Sequence, residues 1–186
     1  MSSRESILSS IKELNQQEKA LPDLPKFDSA QDLVGTFEQS LQNNKGSIIS
    51  ELELTDLVNS GAYPKVYSGS KLIPDLKTFE LPEKATDLND LDLAIIDGQL
   101  GVSENAAIWL EDENLGLRAV PFITQHLVIV LEKSKIVGNM HDAYSLIGLH
   151  HSGFGVFIAG PSKTADIEQS LVIGAHGAKS LRVVLV

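Results

Sequence analysis

Three runs in the middle of the chain limit its fold more than anything else: Leu93-Ala94-Ile95-Ile96, Ala106-Ala107-Ile108-Trp109-Leu110 and His126-Leu127-Val128-Ile129-Val130-Leu131. Apolar runs of this length suit strands with both faces covered. Helical patterns alternate with them, so the expectation is an α/β domain whose mainly parallel sheet is covered by helices. Ser47-Ile48-Ile49, Lys65-Val66-Tyr67-Ser68 and the terminal Leu181 to Val186 read as further strands, and Val156 to Ala159 as a buried one bounded by glycines.

The helices announce themselves by caps. Ser2-Ser3-Arg4-Glu5 has capping-box spacing, and Ile7, Leu8, Ile11 and Leu14 form one stripe of a helix that should end near Asn15 to Lys19. Two prolines in Leu21-Pro22-Asp23-Leu24-Pro25 then predict an extended connector. Residues 1–25 are therefore read as an amphipathic arm with its connector, and residues 26–186 as the α/β domain. The stripe can pack on its own domain, which is slightly favoured, or on a neighbouring subunit, which leaves a homo-oligomer open. Asp28-Ser29-Ala30-Gln31 is a second capping box before Leu33, Val34, Phe37 and Leu41, and a small helix is expected around Thr55 to Asn59. Ser70 to Asp90 reads as loop. Asn139 can cap a helix in which Ala143, Leu146, Ile147 and His150 share a face.

Charge and cysteine content exclude several functions. With 25 acidic and 15 basic side chains the formal net charge is −10, which provides no footprint for nucleic acid or an anionic membrane. The chain has no cysteine, hence no disulfide and no thiolate to hold an iron–sulfur cluster of its own. No signal peptide and no run long enough for a membrane span is seen, so the expected location is the cytoplasm. Gly-x-Ser-x-Gly and both glycine-rich nucleotide signatures are missing, and no cofactor is expected in this chain. Adjacent His150 and His151 would point roughly 100° apart on a helix, and neither they nor His126 and His141 show zinc spacing, so no metal site is expected.

Sites in open α/β sheets form beyond the carboxyl ends of strands, which directs attention to the turns at Asp97-Gly98, Ser103-Glu104-Asn105 and Gly160 to Thr164. After Gly160-Pro161 stops the strand, Thr164 is placed to cap a helix with Asp166 and Glu168 in its first turn and Ile167 and Leu171 four apart. Small side chains, free backbone N–H groups and Lys163 at a helix start would suit an anion.

The segment Gly160-Pro161-Ser162-Lys163-Thr164-Ala165-Asp166-Ile167-Glu168, followed by Leu171-Val172-x-Gly174-x-His176-Gly177, resembles the C-terminal signature of the lactate-utilisation (LUD domain) family, in its protein C branch. Lys163 stands where that family usually has arginine, and Ala178 where proline is common. Ser103-Glu104-Asn105-Ala106-Ala107 falls on the family's Ala-Glu-Thr-Gly-Thr motif and keeps only its glutamate. The resemblance implies a NagB/RpiA/coenzyme A transferase-like fold and a role in oxidising L-lactate to pyruvate beside partner proteins that carry iron–sulfur clusters. It also implies a small carboxylate or phosphate ligand, bound by Gly98, Asn105, Gly160, Ser162, Lys163, Thr164 and His176. Glu104 is the candidate catalytic carboxylate, as a general base or a hydroxyl acceptor; the plainer alternative is a loop glutamate that satisfies nearby backbone N–H groups.

Overall fold

The computed structural model of the chain describes residues 2–13, 20, 22, 25, 27–148, 153–165 and 171–186. Its elements run α1 (Ser3–Glu13), α2 (Leu33–Asn43), β1 (Ser47–Ile49), α3 (Glu51–Asn59), β2 (Val66–Ser68), β3 (Leu93–Asp97), β4 (Leu100–Val102) and β5 (Ala107–Glu111). Then come α4 (Asp112–Leu115), α5 (Val120–Ile123), β6 (His126–Leu131), β7 (Ile136–Val137), α6 (Met140–Ile147), β8 (Gly155–Ile158), β9 (Lys163–Ala165), β10 (Leu171–Ile173) and β11 (Ser180–Leu185).

β3, β6 and β11 form the middle of a five-stranded sheet in the order β1-β11-β6-β3-β2, with every neighbouring pair parallel. Its register sets Leu93 beside His126 and Leu181 beside Leu127. Alternation along each strand then divides the core into two layers. Leu93, Ile95, Val128, Val130 and Val184 pack with Leu54 and Val58 of α3, while Ala94, Ile96, Ile129, Leu131 and Val183 pack with Phe37 and Leu41 of α2. The expected covered, mainly parallel sheet is thus the centre of the molecule.

Only two of the three apolar runs lie in it. β5 joins a separate sheet in the order β7-β4-β5-β8, antiparallel except where β4 meets β7. The cause is the turn after β3: Gly98 and Gln99 alone separate it from β4, and a Cβ at Gly98 would lie 2.5 Å from Ile108 Cγ2. The chain folds back so tightly that β5 is laid over the central sheet, with Ile108 and Leu110 in the α2 layer of the core. The opposite face of this second sheet, including Leu100, Val102 and Trp109, packs with Ala143 of α6.

Several local expectations are corrected. Of the run from Val156 to Ala159, the first three residues belong to edge strand β8, half-buried along its length rather than covered on both faces, and Ala159 is exposed beyond it. Where a helix opening at Thr164 was expected, β9 and β10 form an antiparallel hairpin that pairs Lys163 with Ile173. Ser162 holds the base of this hairpin by donating its N–H to Ala178 O and accepting from Gly174 N, so the backbone is tied crosswise and no helix starts here. The cap of α2 is Asp32, not a box at Asp28 to Gln31: its Oδ1 accepts from Gly35 N at 2.9 Å, and a Cβ at Gly35 would collide with that carboxylate. The capping box at Ser2 and Glu5 does form, yet α1 buries none of its residues and Ile7, Leu8 and Ile11 are exposed, against the expected packing on the domain. Asn139 caps α6 as expected, but Leu146 faces solvent. Leu14 and residues 15–19, Leu21, Asp23 and Leu24 of the connector, His150, His151, Asp166, Ile167 and Glu168 lie outside the described residues.

Candidate functional site at the amino end of the sheet

The three turns singled out in the sequence do not converge. At the carboxyl end of β3, Asp97 is buried; its Oδ1 accepts from the Ser70 hydroxyl and its Oδ2 from the Lys71 N–H at 2.7 Å. Both oxygens of this carboxylate therefore tie the loop after β2 to β3. Gly98 beside it is accounted for by its contact with Ile108 and does not line the cleft described below.

The second turn joins β4 to β5 and belongs to the scaffold. Glu104 is exposed and its Oε1 accepts from Met140 N at 2.9 Å, adding a second cap to α6 beside Asn139. Asn105 accepts the Ala107 N–H with its side chain, and its carbonyl accepts from Asn44 Nδ2 at 2.8 Å. Asn44 also limits the third turn, because Gly160 has φ +114 and a Cβ there would lie 2.6 Å from Asn44 O. Only glycine fits that backbone and that approach. One asparagine at the end of α2 thus touches two of the three turns, although the sequence marks it only as part of a helix stop.

In front of Gly160 is a cleft of about 370 Å³. It opens at the amino ends of β6 and β11, where Leu127 and Ala178 form part of its lining. Ser162, Lys163 and His176 are its polar side chains, and Phe122, Phe157 and Pro161 supply apolar walls. Four of the expected ligand residues, Gly160, Ser162, Lys163 and His176, are brought together here, whereas Gly98, Glu104, Asn105 and Thr164 are not part of its lining. The polar groups that line the cleft include side chains of a turn and a hairpin, not the first N–H groups of a helix. Lys163 enters no ion pair, and neither the Ser162 hydroxyl nor the His176 ring has a hydrogen-bond partner among the described residues. Among the described residues no aspartate or glutamate lines the cleft. Phe122 comes from α5, a four-residue helix opened by Pro121 that periodicity is too short to reveal.

A second polar group occupies the same end of the sheet, beside the α3 layer of the core. His126 Nδ1 and Ser180 Oγ are 2.7 Å apart, and the Tyr63 ring lies at 4.9 Å from the imidazole. Burial, reinforced by the nearby Arg182 and Lys179 charges, holds the His126 pKa below its ordinary value. Among the described residues no group of three or more His, Asp or Glu side chains is arranged to hold a metal ion.

A family model described as "LUD domain" matches residues 4–186. The chain belongs to the LUD domain family. A crystal structure of a DUF162 family protein from Deinococcus radiodurans superimposes with a TM-score of 0.59 at 16% identity, covering 83% of this chain and 96% of that one, and so shares the LUD fold. Curated relatives include lactate utilization protein C of Bacillus pumilus (strain SAFR-032), 35% identical over 82 residues that make up 41% of this chain and 34% of the relative. The protein of the same name from Geobacillus kaustophilus (strain HTA426) is 31% identical over 91 residues, 46% of this LUD chain and 38% of that relative. The match thus spans well under half the length of either relative. No helix among the described residues of this LUD domain is long and apolar enough to cross a membrane.

Proposed function

We propose that this chain is a component of a cytoplasmic L-lactate utilisation system that oxidises L-lactate to pyruvate, as an accessory subunit beside iron–sulfur partner proteins. The observation that carries this reading is the LUD match over residues 4–186 together with relatives named lactate utilization protein C. The composition agrees with the division of labour: a chain without cysteine leaves thiolate-held clusters to its partners. The test is affinity purification of the tagged protein from its own cells grown on L-lactate, with iron content and lactate oxidation measured in the eluate. Co-purifying iron and activity are expected. A protein that emerges alone and iron-free, from cells whose growth on L-lactate survives its deletion, would sink the assignment.

A catalytic part for Glu104 would fall to Oε2, since Oε1 accepts the Met140 N–H. Unchanged lactate oxidation in the complex containing Glu104→Ala would leave this residue a helix cap.

A second reading, favoured by the polar groups of the cleft, is a small-molecule site for a carboxylate or phosphate. It is compatible with the first, since an accessory subunit can sense or hold a metabolite.

A further inference from the structure

The cleft is larger than a small hydroxy acid needs, and its lining combines polar with apolar groups. A volume of about 370 Å³ lies in the range of roughly 300–1,000 Å³ usual for drug- and cofactor-sized molecules. Its polar groups are few: Lys163 supplies a positive charge, and Ser162 and His176 supply hydrogen-bonding groups. The rest of the wall includes Phe122, Pro121 and Pro161 with Leu127 and Ile158, while Phe157 contributes to the lining with its ring packed on Trp109 and Tyr144. Phe122 is 44% exposed although it sits on this cleft, and a ligand ring against it would remove that surface from water. Gly177 keeps the interior open, since a Cβ there would come within 3.1 Å of Ser162 Cβ and crowd the one hydroxyl in the lining.

We propose that this cleft binds an organic anion with an apolar ring, a carboxylate or phosphate carried on an aryl-sized body, and that lactate alone is too small to fill it. The inference rests on the second reading above, that the cleft is a ligand site, and is independent of the lactate pathway. Carboxylate and phosphate share the recognition chemistry of a lysine, a hydroxyl and an imidazole, so the head group is left to the test.

Calorimetric titration of the isolated protein with 3-phenyllactate, phenyl phosphate, L-lactate, inorganic phosphate and neutral benzyl alcohol separates the contributions. At least one aryl anion is expected to saturate a single site and to bind about tenfold or more tightly than its small counterpart, the gain expected from burying a ring. Whichever aryl anion binds better identifies the head group. Lys163→Ala should weaken the anions without affecting benzyl alcohol, and Phe122→Ala should bring the aryl anion down to its small counterpart. Both side chains are exposed, so both variants should fold. Equal affinity within both pairs, phenyllactate with lactate and phenyl phosphate with inorganic phosphate, would overturn the ligand class while keeping the site. Absence of saturable binding by all five probes, or anion affinities unchanged in Lys163→Ala, would overturn the site itself.

Discussion

The two ends of the parallel sheet use their polar groups in opposite ways. At the carboxyl end, where ligands of open α/β sheets usually bind, Asp97 is buried with both oxygens occupied by Ser70 and Lys71, and Gly98 is pressed against Ile108. At the amino end, Ser162, Lys163 and His176 line a cleft, and among the described residues their side chains engage neither one another nor a carboxylate. A saturated polar group stabilises the fold; an unsaturated one beside a cavity is available to something else.

This contrast can be broken by stability measurements. Asp97→Ala removes the acceptor of the Ser70 O–H and of the Lys71 N–H beside a buried position, at about 1–3 kcal/mol for each lost hydrogen bond, so urea denaturation should show the largest loss of the series. Gly98→Ala should cost about 1–3 kcal/mol through overpacking against Ile108 and Ile129. Glu104→Ala removes one of two caps from α6 and should cost about 0.5–1 kcal/mol in the same assay. Lys163→Ala should fall within about 0.5 kcal/mol of the wild type, because its side chain is exposed and its ammonium is in no ion pair among the described residues. A loss at Lys163 equal to that at Asp97 would erase the contrast between the ends.

His126 adds a pH dependence to the amino end. Its folded pKa is lowered, so the unfolded chain binds the proton more tightly. The stability attached to this histidine is present above its unfolded pKa of about 6.5 and falls as the pH drops below it. Denaturation midpoints of wild type and His126→Asn measured across that range should converge under acid conditions; parallel curves would remove the imidazole as the cause.

The central sheet was legible because β3, β6 and β11 are apolar runs whose two faces both meet core, a pattern that composition shows without tertiary information. The second sheet was not, since β4 has three residues, β7 two, and their pairing depends on a turn whose tightness resides in the surroundings of Gly98. The hairpin of β9 and β10 was misread because Thr164 and the carboxylates after it imitate a helix start, while β-branched Val172 and Ile173 carry the competing strand signal. Of the cleft, the Gly160 to Lys163 turn and His176 were visible as a signature. Phe122 and Asn44 were not, as a wall and a brace are defined by what lies opposite them in space.

The position of β11 has a consequence in time. It is inserted between β1 and β6, and Ser47 must meet Arg182 before the sheet is whole. Until residues 180–185 arrive during synthesis, β1 has no neighbour and β6 keeps one side of its backbone unpaired. The half-made sheet therefore carries unpaired edges, pairing across so much of the chain favours slow folding, and a nascent chain of this kind benefits from being shielded until β11 closes the gap.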